Sequence, residues 1–259
     1  MHPVPATARP AASLIVVRTG TGTGGVPQFL MIERAASMSF AGGAVVFPGG
    51  AVDEADRVWA MALNAAADAD DLAARIAAVR ETIEETGLVP ALEGSAVPAE
   101  RAAALRRVLH AGRSLAEAAA EHMFAFDFDA LVPFARWCPP SGAKSRQYDT
   151  RFYIAVVADH EHAIEADGNE TTSLGWHSAD EVLERARQGR ASVIFPSRRN
   201  LERLAQFGSV AELLDHARAQ PVSLIMPWVE ARDGVDHLCI PEGMGYPVTS
   251  EPLATARRS

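Results

Sequence analysis

The sequence predicts an α/β fold, a mixed sheet held between helices, on three observations. Short apolar runs at Ser13–Val17, Gln28–Glu33, Ala44–Phe47 and Phe152–Val157 read as strands. Between them Leu72, Ile76, Val79 and Ile83 recur at spacings of four, three and four, the apolar stripe of one helix. After the last of these strands, Ser178-Ala-Asp-Glu opens a further helix with a capping-box pattern.

Composition bounds the function. The chain has 259 residues, 48% hydrophobic and 22% charged, enough for one domain with a full core. A net charge of −9 argues against nucleic acid or an anionic membrane surface as partners. Cys138 and Cys239 give neither a disulfide framework nor a metal-binding spacing, so a reducing, cytoplasmic setting is expected. No apolar run approaches the length of a membrane span.

Taken in order, Ser13–Val17 and Gln28–Glu33 are two strands joined by a Gly- and Thr-rich loop. That loop lacks the Lys-Ser/Thr and the helix start of a phosphate cradle, so it is expected to be a hairpin tip. The run to Phe47 then meets Pro48-Gly49-Gly50, where Pro48 keeps Phe47 extended and the glycines leave room for a phosphate. Residues 57–79 carry Trp59, Met61 and Leu63 and then Ala-Asp repeats. The first part is expected to form a short helix over the site, and the second to lengthen the next helix at its N-terminus.

That next helix, with Asp70 or Asp71 as N-cap and Gly87 as its stop, ends in Arg80-Glu-Thr-Ile-Glu-Glu-Thr-Gly87. Glu81, Glu84 and Glu85 fall opposite the apolar stripe, where like charges one turn apart repel. A divalent cation would turn that repulsion into attraction, and hard oxygen ligands suit Mg²⁺ or Mn²⁺. The competing reading is a merely solvated acidic face.

Residues 98–123 read as two helices broken near Gly112, the second capped by Ser114 with Glu117. His110 and His122 ride on them as surface or packing residues. Leu131–Cys138 is apolar. Lys144, Arg146 and Arg151 then concentrate positive charge, either as a clamp on phosphates or an anionic substrate tail, or as a solvated loop with Asp149 pairing Arg151. Asp159-His-Glu-His162 is expected to be an exposed tip. Glu165–Glu170 lead into a short strand, Leu174–His177. Ser197 is expected to cap a helix, Val210–Ala217 to form another, and Leu224–Val229 and His237–Ile240 to be strands about an Asp233-Gly234 turn.

The strings Gly50 to Asp56 and Arg80 to Leu88 resemble the signature of the Nudix hydrolases, G-x5-E-x7-R-E-U-x-E-E-x-G-U, with U a bulky aliphatic residue. Gly50, Arg80, Glu81, Glu84, Glu85, Gly87 and Leu88 match. Asp56 stands in place of the first Glu, with Asp53 or Glu54 as substitutes for it, and Thr82 stands at a U position. Residues 57–79 number 23 where the pattern has seven. A long insertion there, the lead-in from Arg34, the helical pair at 98–123 and Tyr148-Asp-Thr-Arg-Phe152 all resemble one branch, the peroxisomal coenzyme A diphosphatases and their bacterial relatives.

The resemblance implies a single Nudix-type α/β/α sandwich. Its core would run from about 12 to 215, with helical insertions near 57–72 and 98–128 and a C-terminal extension at 216–259. It implies Mg²⁺ or Mn²⁺ at Glu81, Glu84 and Glu85, with Glu81 or Glu170 as base (Glu165 being second to Glu170) and Arg80 orienting a carboxylate. Gly49, Gly50, Arg34, Lys144, Arg146 and Arg151 would meet the substrate, a small nucleotide-derived molecule. Coenzyme A or an acyl-CoA is favoured. ADP-ribose, dinucleoside polyphosphates and nucleotide sugars stay open, as does a regulator that binds nucleotide without catalysis. A homodimer is a possible assembly.

Overall fold

The computed structural model describes residues 4–21, 24–38, 41–63, 68–92, 97–139, 147–158 and 164–256. Its centre is strand β1 (Arg9–Thr19), apolar on both faces because both are covered. Leu14 and Val16 point into one core with α1 (Glu54–Leu63), α2 (Ala69–Thr86), α3 (Ala99–His110) and α4 (Leu115–His122). Ile15 and Val17 point into a second, with α5 (Ala179–Arg187), α6 (Phe195–Leu204) and α7 (Val210–Ala219). The period-two alternation of a strand thus builds an α/β/α sandwich.

The main sheet runs β3 (Val45–Val46), β2 (Pro27–Arg34), β1, β6 (Tyr148–Val156), β5 (Val132–Trp137), β8 (Leu224–Ile225). β1–β6 and β5–β8 are parallel and the other pairs antiparallel, so the sheet is mixed. β7 (Thr171–His177) also pairs with β2. β1 changes partner along its length. Val17–Thr19 pair with β2, whereas Ala11–Ser13 pair with β4 (Gly49–Ala51). The glycine corner therefore sits where the central strand passes from one neighbour to the other, directly under α2.

Two local expectations are corrected. The N-cap of α2 is Asp68, whose side chain accepts from the Asp71 N–H; Asp70 and Asp71 occupy the first turn instead. Helix α6 starts at Phe195, with Ile194 as N-cap and Pro196 in the first turn, so Ser197 is a buried helical residue and not a cap. The C-terminal extension contributes Ile225, Ile240, Tyr246 and Ala256 to the second core. Tyr246 accepts from Trp137 Nε1 and donates to Asn200, tying that extension to β5 and α6.

The capping boxes at Ser114 and Ser178 form as expected. So does the Asp233-Gly234 hairpin, which joins β9 (Trp228–Arg232) to β10 (Val235–Cys239). Helix α1 forms in the insertion and packs on α2 and α4 through Trp59. Among the described residues no helix is long and apolar enough to cross a membrane.

Candidate active site

Helix α2 brings the acidic residues to the glycine corner. Ile76, Val79 and Ile83 are fully buried, and Gly87 ends the helix in the left-handed conformation (φ 72°) with its N–H on the Ile83 carbonyl. Thr82 lies in the core where the resemblance has an aliphatic residue. Its hydroxyl donates to the Ala78 carbonyl, which satisfies it without another partner.

Arg80 is buried beneath the acidic face, and all five of its donors are used. Nε and Nη2 donate to Asp56 at 3.1 Å each, Nη2 also to the Ala51 carbonyl at 2.9 Å, and Nη1 to Glu81 at 2.9 Å and Glu84 at 3.1 Å. Asp56, 2% exposed, thus holds Arg80 and also accepts from the Asp53 N–H. Asp53 is the more exposed neighbour, 3.6 Å from Arg80.

Glu85 points the other way, into the sheet. It accepts from the Gly49 N–H at 2.9 Å, and Arg34 Nη1 lies 3.6 Å from its second oxygen. Glu85 lies opposite the stripe but is only 3% exposed, because the glycine corner covers that part of the face. A Cβ on Gly50 would lie 2.4 Å from the Glu81 carboxyl, so only glycine lets that carboxyl rest against the corner.

Burial pushes Glu81 up to about 7, with Glu84 and Asp53 adding to it and Arg80 opposing. Burial likewise raises Glu85, followed by the charge of Glu81; the Gly49 N–H and Arg34 act against it. Glu170 is exposed but near enough for its charge to raise Glu85 further. Glu165 instead faces Arg106 and donates its N–H to the Thr86 carbonyl. Of the two late acidic residues, Glu170 is the one beside the cluster.

Arg151 lies elsewhere. It pairs with Asp71 at 3.0 Å, where Tyr153 and Arg75 also donate, while Asp149 is taken by Arg136. Asp71 is ten residues before Glu81, roughly 15 Å along the helix, so Arg151 stands away from the glycine corner, and its expected pairing with Asp149 is replaced by one with Asp71. Lys144, Arg146 and the tip at 159–162 fall outside the described residues. Two residues beside the site were not foreseen: Arg106 donates to the Glu84 carbonyl at 2.9 Å, and His110 Nε2 lies 3.0 Å from the same oxygen. They brace the last turn of α2 from α3, a long-range contact with no local pattern to betray it.

Among the described residues, no three acidic, His or Cys side chains converge as a ready-made metal cage. The donors still suit a hard cation. Mg²⁺ keeps several waters and needs only one or two carboxylates beside substrate phosphates. Glu81 and Glu85, each raised in part by a neighbouring carboxylate, would be relieved by it.

A mixed sheet between helices, with Arg-Glu-x-x-Glu-Glu lodged against a Gly-Gly corner, defines a Nudix-type fold and site. The NUDT19 Nudix domain model matches residues 59–204, and the chain belongs to that family of Nudix hydrolases. Putative nudix hydrolase 7 of Caenorhabditis elegans is 29% identical over 200 residues, 76% of this chain and 61% of that protein. Acyl-coenzyme A diphosphatase NUDT19 of Gallus gallus is 26% identical over 238 residues, 72% of this chain and 63% of that one. The chain therefore spans less than two thirds of the length of these relatives. The crystal structure of a NUDIX hydrolase from Alicyclobacillus acidocaldarius superposes with a TM-score of 0.69 at 27% identity, covering 80% of this chain and 96% of that one.

Proposed function

We propose that this single-domain protein hydrolyses the diphosphate bond of coenzyme A or an acyl-CoA, with Mg²⁺ or Mn²⁺ bound. The products would be phosphopantetheine, or its acyl form, and adenosine 3′,5′-bisphosphate. The observation that carries the reading is the seating of Glu81 and Glu85 against Gly50 and Gly49. It puts hard oxygen ligands directly against a stretch of backbone that carries no side chain of its own. The choice of substrate rests on the acyl-coenzyme A diphosphatases among the relatives.

Glu81, Glu84 and Glu85 would hold the cation. When bound, it would polarise the phosphate oxygens and acidify water. Arg80 has no donor left for substrate, so it is a positioning residue that fixes Glu81 and Glu84 against Asp56. Glu81, which rests against the corner, or Glu170, near enough for its charge to act on Glu85, would take the proton from the attacking water. Arg34, whose Nη1 lies 3.6 Å from Glu85, would meet the phosphates beside that carboxylate.

The test is turnover of coenzyme A, acetyl-CoA, ADP-ribose and diadenosine polyphosphates with Mg²⁺ or Mn²⁺, with products identified. Coenzyme A or acetyl-CoA should be cut fastest, and Glu85→Gln should abolish turnover while the unfolding midpoint holds. Preference for another diphosphate would overturn the substrate. Binding without any turnover would mark a nucleotide-binding regulator.

A further inference from the structure

The C-terminal strands form a second sheet in the order β11 (Ser250–Pro252), β10, β9. Strand β9 thus has a neighbour on one side only among the described residues, and all five of its residues are exposed. Trp228 is 42% exposed and Val229 52%, on an edge without Pro or Lys to discourage pairing.

The Asp233-Gly234 turn has positive φ at both positions, 50° and 77°, so the hairpin is of the two-residue type closed by Arg232 and Val235. Hydrogen-bonded pairs alternate along an antiparallel ladder. Trp228, Glu230 and Arg232 therefore turn their backbone groups toward β10, whereas Val229 and Ala231 turn theirs outward.

We propose that this edge pairs antiparallel with the same edge of a second copy of the chain, about a two-fold axis at Ala231. The symmetric registers differ in what they set opposite Glu230. An axis at Glu230 would oppose two like carboxylates, and one at Val229 would oppose Glu230 and Trp228. The axis at Ala231 sets Glu230 opposite Arg232 of the partner subunit, and symmetry makes that pair twice. Within each copy Arg232 already reaches Glu230 at 3.2 Å, so the four groups join into one ladder of alternating charge. On the opposite face Ala231 meets its counterpart, and Val229, beside Leu238 with which it pairs, lies across from the turn at Asp233 of the second copy.

The test is the molar mass of the full chain by sedimentation across a concentration series. A dimer is expected. Glu230→Arg or Arg232→Glu alone should weaken it by roughly tenfold or more, because each makes two like-charge pairs. The double exchange, Glu230→Arg with Arg232→Glu, should restore it. Ala231→Pro, which removes an outward N–H, should give a monomer with an unchanged circular dichroism spectrum. A wild-type monomer throughout, or a dimer indifferent to these changes, would overturn the proposal. Mass is read without turnover, so this result stands apart from that of the substrate assay.

Discussion

Asp56 grips Arg80 with both carboxylate oxygens, each 3.1 Å from a different guanidinium nitrogen, and the two residues are 2% and 7% exposed. Asp56 opens helix α1 and Arg80 belongs to α2, so the pair bolts the insertion to the helix that carries the acidic residues. Removing one partner of a buried pair leaves the other charged and unsolvated. Asp56→Ala should cost about 3–5 kcal/mol by denaturant unfolding. Arg80→Lys should fail to rescue the site, since a single ammonium cannot serve Asp56, Ala51, Glu81 and Glu84 together. Its kcat should fall by orders of magnitude, with a smaller loss of stability than in Asp56→Ala.

The two corner glycines should separate cleanly. The nearest atoms to a Cβ on Gly50 are those of the Glu81 carboxyl, at 2.4 Å, whereas one on Gly49 meets the Ala12 carbonyl at 2.3 Å and the Ser13 Cα at 2.6 Å. Gly50→Ala displaces a side-chain tip, so turnover should drop at least tenfold while the unfolding midpoint moves little. Gly49→Ala pushes against the central strand and should lower stability itself. Equal loss of stability in both would contradict this division.

What the sequence made legible were patterns whose partners are near in the chain. The stripe of α2, the Ser114 and Ser178 capping boxes and the Asp233-Gly234 turn each depend on residues within a turn or two. The site residues on α2 could be read for the same reason. Three aspartates in a run each had cap chemistry, and the seat went to Asp68. The start of α6 carries a local signal as well, Pro196 in its first turn, which competes with the cap chemistry of Ser197. Arg151–Asp71 and Arg106–Glu84 join residues 80 and 22 apart, and no local rule selects such partners.

Stability of the metal-free protein should fall as pH rises through neutrality. Glu81 is raised from an ordinary 4.5 to about 7, so between those values the folded chain keeps a proton that the unfolded chain has released. The stabilisation is whole below about 4.5 and is gone above about 7, on the order of 3 kcal/mol. Glu202, raised to about 7 chiefly by burial, gives a slope of the same sign. The measurement is therefore a difference: Glu81→Gln should lose less stability than wild type between pH 5 and pH 8. Because a cation competes with that proton, Mg²⁺ should raise the wild-type melting temperature more at pH 8 than at pH 6. Equal gains at both values would detach the cation from these carboxylates.

Helix α1 should matter to turnover through its far side. Trp59 meets Phe128 edge-on at 5.3 Å and Phe126 at 6.3 Å between ring centroids, joining α1 to the segment after α4. Three residues earlier, one turn away on the same helix, Asp56 holds Arg80. Trp59→Ala removes a large aromatic from that contact, at about 3 kcal/mol. With its anchor gone α1 loosens, and the carboxyl that fixes Arg80 loosens with it. The expected result is a lower kcat with KM little changed, since Trp59 itself has no place in the corner. Val58→Ala, at a position 54% exposed on the same helix, is the control and should shift stability by less than about 0.5 kcal/mol. If Trp59→Ala lost stability at full kcat, the insertion would be packing alone, and the alignment of Arg80 would come from α2.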